Sequence, residues 1–151
     1  MSNTPSLLGW REWVGLPGLN IEKIKAKVDT GARSSAIHAF ELDPYKKNGE
    51  NWIMFAIHPE QNNTDIIIEC HAPIKDRRIV SDSGGHKQQR YVIETPLVIG
   101  QSIITAEVTL TNRDSMLFRM LLGRTAIKDD YLIAANKSFL QGEPSIRTVG
   151  M

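Results

Sequence analysis

A single cysteine, Cys70, stands in the whole chain. No disulfide can form within it, so stability has to come from a packed core, as suits a reducing compartment. Long apolar runs are missing too: nothing approaches the roughly 18 apolar residues of a membrane-crossing helix. Met1–Trp10 has neither a basic start nor a long apolar stretch and does not read as a secretory signal. The expectation is a cytoplasmic protein. Charge of one sign is also lacking. Lys and Arg number 18 against 17 Asp and Glu, a net charge of +1, which gives no global attraction to nucleic acid or to a membrane. No internal repeat is visible. His-Glu-x-x-His is absent, and so is the Gly-x-x-x-x-Gly-Lys-Ser/Thr phosphate loop. No cofactor is therefore expected.

What is present is an ordinary globular composition, 41 % apolar and 23 % charged, over 151 residues. That length predicts a single domain over residues 1–151, with its core in 10–140 and a tail over 141–151 that frays. The patterning is mostly β. Ile24, Ala26 and Val28 alternate with Lys23, Lys25 and Lys27, which predicts a half-exposed strand over Ile21–Val28. Extended segments are expected over 35–40, 52–58 and 66–70, the last of them buried. Pro44, Asn48 and Gly49 mark 43–51 as a loop, and 59–64 as a polar turn follows. Residues 74–80 and 89–95 read as a hairpin whose polar tip, 81–88, carries Gly84 and Gly85. A further hairpin, 96–100 with 103–110, turns at Gly100-Gln101. An apolar segment over 116–122 ends at Gly123. A helix is predicted over 125–131, capped by Thr125, with Lys128, Asp129 and Asp130 on its wet side. Short apolar pieces cover 132–135 and 138–140.

Asp29-Thr30-Gly31-Ala32 lies between two of these extended segments. Such a turn puts a carboxylate on a tight corner, a hydroxyl beside it, and then no side chain at all. Hydrolysis by an activated water needs two such carboxylates about 3 Å apart. They cannot both ionise, so they share a proton, one accepting from water while the other donates to the scissile carbonyl. The chain has one Asp-Thr-Gly and no second copy near residue 105. The missing carboxylate is expected from Asp29 of a second copy, because an isologous two-fold interface sets like against like. Asp29, Thr30 and Gly31 are the candidate catalytic residues. Thr30 would bond across the axis, and Gly31 would leave room for substrate and offer its amide.

Two stretches occur together: Val28-Asp29-Thr30-Gly31-Ala32, and later Met120-Leu121-Leu122-Gly123-Arg124. In this order the chain resembles the retropepsin-like aspartic peptidases. The run from Lys27 to His38, with Leu121–Ile127 later, is similar to the bacterial branch labelled ATP-dependent zinc protease and associated with RimK-type glutamate ligases. The resemblance covers roughly residues 10–140. It implies an all-β, closed retropepsin-like barrel with one short helix and a homodimer. The apolar-apolar-Gly segment would pass behind the Asp turn, and the Gly84-Gly85 hairpin would serve as a flap over the substrate. No zinc or ATP motif accompanies the label, so the residues favour an aspartic mechanism.

Ala32 cannot give the carboxylate the hydrogen bond that a Ser would, which moves the expected working range toward neutral pH. Viral members usually carry an acid two residues after the Gly, paired with the Arg of Gly-Arg. Here that position is Arg33, which leaves Arg33 and Arg124 both cationic. Between 75 and 90, Lys75, Arg77, Arg78, Lys87 and Arg90 outnumber Asp76 and Asp82. Ala32, Arg33, Gly84, Gly85 and Arg124 are the candidate substrate contacts, and a peptide or protein substrate that is acidic, for instance glutamate-rich, is expected. Two readings stand beside this one. A zinc-dependent peptidase would draw on His38, His58, His71, His86 and Cys70, none of which share a ligand spacing. A peptide-binding dimer of the same fold would need no catalysis. Cys70 most simply fills a core, the Lys23-Lys25-Lys27 row faces solvent, and Trp10, Trp13 and Trp52 are core or dimer contacts.

Overall fold

The computed structural model describes residues 6–81, 84–112 and 118–144. The described residues form eleven strands: β1 Ser6–Leu16, β2 Ile21–Val28, β3 Ser35–His38, β4 Glu41–Lys47, β5 Glu50–Ile57, β6 Ile68–Pro73, β7 Asp76–Ser81, β8 Lys87–Ile99, β9 Ser102–Thr111, β10 Met120–Leu122 and β11 Tyr131–Ser138. One short helix, α1, spans Arg124–Ile127. Eight strands form a mixed sheet in the order β11-β1-β2-β10-β3-β9-β8-β7. Gly15 of β1 also pairs with Val98 of β8, bringing the sheet back on itself as a partly closed barrel. A second sheet, β4-β5-β6, packs Ile53, Phe55 and Ile57, all fully buried, into the same core as Leu8, Ile37 and Leu97. The fold is all-β and retropepsin-like. Among the described residues no helix is long and apolar enough to cross a membrane.

Alternation is a reliable guide where a strand has one wet face. In β2, Ile24 and Ala26 are buried while Lys23 and Lys27 are exposed. Lys23 and Lys25 lay their ammonium groups 5.0 and 5.4 Å from the Trp13 ring. Trp10, Trp13 and Trp52 are half-buried rather than core. Trp13 stacks on Phe139 and Trp10 meets Phe118 edge-on. Cys70 is buried as expected. Burial, with a smaller push from Glu69, raises its thiol to about 12, far from the thiolate form that reacts.

The structure corrects several expectations. The 43–51 loop is instead a hairpin of β4 and β5 around Asn48-Gly49, both at positive φ (52° and 81°). Two left-handed residues are what a tight primed turn requires. Pro44 is tolerated because β4 is the edge of its sheet. Strand β6 begins at Ile68, and Ile66 and Ile67 before it are exposed rather than buried. Strand β8 runs unbroken through Pro96, which falls between its ladder to β7, ending at Val92, and its contact with β1 at Val98. On its β9 side Pro96 stays in register opposite Thr105. The 125–131 helix shrinks to α1, followed by a 3-10 turn over Lys128–Asp130, where Lys128 has φ 48°. Residues 132–140 were expected as two pieces, yet 131–138 form one strand.

The ends of the chain are joined by a residue with no motif to mark it. Glu12 is fully buried in β1. Its carboxylate accepts the backbone N–H groups of Gly9 at 2.6 Å, Leu140 at 2.9 Å and Gln141 at 3.1 Å. Three charge-assisted bonds satisfy a buried charge and fasten the segment after β11. The tail up to residue 144 is therefore packed at its start, and Glu143 pairs with Lys23 at 2.7 Å. The remaining expectations for 1–5, for 82–83 in the hairpin tip, for 113–117, which includes part of the 116–122 segment, and for 145–151 lie outside the described residues.

Candidate active site

The Asp29 turn is built on β10. Leu121 and Leu122 pair in parallel with Lys27 and Val28. The ladder continues one residue further, where the Asp29 amide donates to the Leu122 carbonyl at 2.9 Å. The chain then reverses, with the Ala32 amide bonding the Asp29 carbonyl at 3.2 Å. Inside this turn the Gly31 amide donates to Asp29 Oδ1 at 3.0 Å. A Cβ on Gly31 would sit 3.3 Å from that oxygen, so the absent side chain keeps the carboxylate uncrowded. Asp29 is half-buried, whereas Thr30 and Gly31 are exposed. The Thr30 hydroxyl makes no hydrogen bond among the described residues.

Gly123 and the start of α1 clasp the far side of the turn. The Arg124 amide bonds the Ala32 carbonyl at 2.8 Å, and the Thr125 amide bonds the Arg33 carbonyl at 3.0 Å. The Thr125 hydroxyl donates to that same Arg33 oxygen at 2.8 Å. This corrects its expected role: Gly123, not Thr125, precedes the helix, and no side chain caps it. Arg124 reaches over the turn, and its guanidinium donates to the Gly31 carbonyl at 3.1 Å. Arg33 is exposed and makes no ion pair among the described residues. Asp29, Thr30, Gly31, Ala32, Arg33 and Arg124 thus come together. Gly84 and Gly85 are on the exposed connection between β7 and β8, Gly85 with φ 83°.

Sequence reasoning missed the residues that tie this floor to the hairpin. Ser35 is buried, and its hydroxyl accepts the Gly123 amide at 3.1 Å. Its carbonyl accepts the Thr109 hydroxyl at 3.3 Å, and Thr109 Oγ1 in turn accepts from the Arg90 guanidinium of β8 at 3.3 Å. The only sequence signal was a Ser and a Thr on the apolar side of strands, where an unpaired hydroxyl would be costly.

The hairpin charge also needs correction. Arg78 binds Glu107 of β9 through both terminal nitrogens, at 2.8 and 3.0 Å, and Asp76 at 2.9 Å. Lys75 pairs with Glu94 and Glu107. Two of the five hairpin cations are thereby matched by acids from β8 and β9 that a count over 75–90 omits. Arg78, then Lys75, hold the Glu107 carboxyl down to about 2, below the ordinary 4.5. Because the folded value lies below the unfolded one, this stabilisation is present above about pH 4.5 and lost as pH falls toward about 2. Acidification through that window should lower the melting temperature more in the native chain than in Glu107→Gln, as followed by circular dichroism. Equal losses would contradict the assignment.

Among the described residues no three His, Cys, Asp or Glu side chains gather as a metal-holding group. Cys70 and His71 point to opposite faces of β6, one buried and one exposed.

Comparison with known proteins bears on this geometry. The family model described as "Retropepsin-like aspartic endopeptidase RimB" matches residues 7–144. The chain is 44 % identical over 143 residues to a protein of Shewanella pealeana named "Probable alpha-L-glutamate ligase". It is 40 % identical over 144 residues to a protein of the same name from Desulfotalea psychrophila. Each alignment covers 95 % of this chain but only 31 % of the relative, so the chain spans about a third of the length of these curated relatives. A crystal structure of a Legionella pneumophila protein of unknown function is similar, with TM-score 0.75 and 26 % identity, over 93 % of this chain and 99 % of that one. The Asp turn clasped by β10 and α1 and the match across residues 7–144 agree: the chain belongs to the RimB-like family of retropepsin-like aspartic endopeptidases.

Proposed function

We propose that this chain, as a single retropepsin-like domain, hydrolyses peptide bonds as a homodimer, with a water activated between two Asp29 carboxylates. The observation that supports it best is the Asp29 turn. Its carboxylate is oriented by the Gly31 amide, and its backbone is held by Leu122 and Arg124. Such pre-organisation costs nothing at the moment of reaction. In the dimer each Thr30 hydroxyl, unbonded among the described residues of its own chain, reaches across the axis. Arg124 braces the turn from behind, and Ala32 and the Gly84-Gly85 hairpin approach the bound peptide. Without a hydroxyl at Ala32 the pair works nearer neutral pH than about 3.

Arg33 is the charge that turns this cleft toward acidic peptides, since it lacks an acid partner among the described residues. The ligase relatives carry a sequence like this one within their own chains. A peptidase that trims glutamate-rich extensions would act on what a glutamate ligase makes, in the cytoplasm and alongside such a ligase. The test is the rate of cleavage of a glutamate-rich peptide and of a neutral one over a range of enzyme concentrations. Specific activity should rise as the dimer forms, should survive a metal chelator, and should favour the acidic peptide. Arg33→Ala should reduce that preference about tenfold. Activity from a sedimenting monomer, or its loss to the chelator, would refute the shared-dyad mechanism.

A further inference from the structure

The small sheet has an outward face that the peptidase reading does not use. Ile53, Phe55 and Ile57 point into the core, so alternation turns Trp52 and Met54 of β5 outward, both half-buried. The register sets Tyr45 beside Trp52, and Asp43 beside Met54 and then His71. Glu41 and Glu69 flank Ala56 in the next row. The result is a strip of aromatic and thioether surface bordered by carboxylates. Tyr45 is held in place: its hydroxyl bonds His71 Nδ1 at 2.9 Å, and His71 Nε2 bonds Glu69 at 2.9 Å. Tyr45 and Trp52 rings lie 6.5 Å apart.

Two observations say what this face would take. Glu41, Asp43 and Glu50 make no ion pair among the described residues, whereas Glu94 and Glu107 on the β8–β9 surface are paired with Lys75 and Arg78. Secondly, the Trp52 ring already holds a cation, since Lys47 Nζ stands 4.3 Å from its centroid. Apart from His71, which pairs with Glu69, Lys47 is the one cation on this face among the described residues; it sits on a flexible stem beside the hairpin turn, so another can replace it. An aromatic face with unmatched carboxylates around it is the chemistry that recognises guanidinium and ammonium groups.

We propose that the outward face of β4-β5-β6 docks a basic peptide segment, whose Arg or Lys side chain stacks on Trp52 in place of Lys47 while its neighbours pair with Glu41, Asp43 and Glu50. An acidic peptide would be repelled here, so this surface is distinct from the cleft beside Arg33. It does not depend on catalysis, and binding alone tests it. Fluorescence anisotropy of labelled octa-arginine and octa-serine on the full chain gives the readout. Octa-arginine should bind the tighter of the two and weaken with added salt. Trp52→Leu and the double change Glu41→Gln with Asp43→Asn should each weaken it at least about fivefold, while Glu22→Gln on β2 should not. The double change touches only exposed carboxylates, so it decides the matter even if Trp52→Leu fails to fold. Equal binding of both peptides, or native affinity in the double variant, overturns the proposal.

Discussion

Asp29→Asn should lower kcat/KM for peptide hydrolysis by about 10³–10⁴-fold while the fold and the dimer persist. Asn has the same shape as Asp and keeps an Oδ1 that can accept the Gly31 amide, now 3.0 Å from Asp29 Oδ1. The backbone bond from residue 29 to the Leu122 carbonyl is untouched. On the proposed mechanism, what disappears is the proton exchange between paired carboxylates, which an amide cannot carry out. Mixing native and variant chains sharpens the test, because a mixed dimer has one carboxylate and should be inactive. Titrating variant into native enzyme should then reduce activity faster than simple dilution does. Turnover by Asp29→Asn within tenfold of the native rate would leave the carboxylate without a catalytic role and favour the peptide-binding dimer.

The second large effect is expected at Gly123→Ala. A Cβ there would stand 2.5 Å from the Ser34 carbonyl carbon, 2.6 Å from its oxygen and 2.9 Å from the Ser35 nitrogen. All three are backbone atoms, so no rotamer change relieves the clash. The φ of Gly123 is −87°, which any residue adopts, so the requirement is for space. Forcing the strands apart should cost about 3 kcal/mol or more and lower the melting temperature by roughly 10 °C. Activity should fall with it, because Ser35 and Gly123 border the clasp that holds the Asp29 turn. Two controls separate causes. Ser35→Ala removes one hydrogen bond and should cost about 1 kcal/mol. Gly49→Ala sits at φ 81° with nothing within 4 Å, so it should cost only about 1 kcal/mol through its backbone. A Gly123→Ala chain that melts like the native one would mean that the two segments separate easily.

Much of the site could be read along the chain because its parts are local. Asp29 to Ala32 is one turn, and Met120 to Arg124 is one strand end. Both announce themselves by residue types that only a few backbone shapes accept. The alternation of β2 could be read for the same reason, since one wet face and one dry face leave a period of two. Strand β1 could not. It bends at two irregularities, near Gly9–Arg11 and near Val14–Leu16, and has neighbours on more than one side. Its apolar residues therefore follow no single period. Likewise 43–51 reads as a loop from Pro44, Asn48 and Gly49, because nothing local reveals that the strand holding Pro44 is an edge.

By itself the sequence determined the chemistry of the turn: one carboxylate, one hydroxyl, one glycine, and a cation two residues after that glycine. It also holds a single Asp-Thr-Gly, which is why the proposed mechanism draws its second carboxylate from another copy. Only the tertiary structure decided which distant groups hold that turn and which charges remain unmatched. Glu12 meets Leu140 and Gln141, Ser35 meets Gly123, and Glu107 neutralises Arg78. Ser35 and Gly123 are 88 positions apart, and Glu12 and Gln141 are 129 apart. The physical reason is that residue type sets what a side chain can bond, whereas strand register sets what it meets. Register is a property of all the strands packed together.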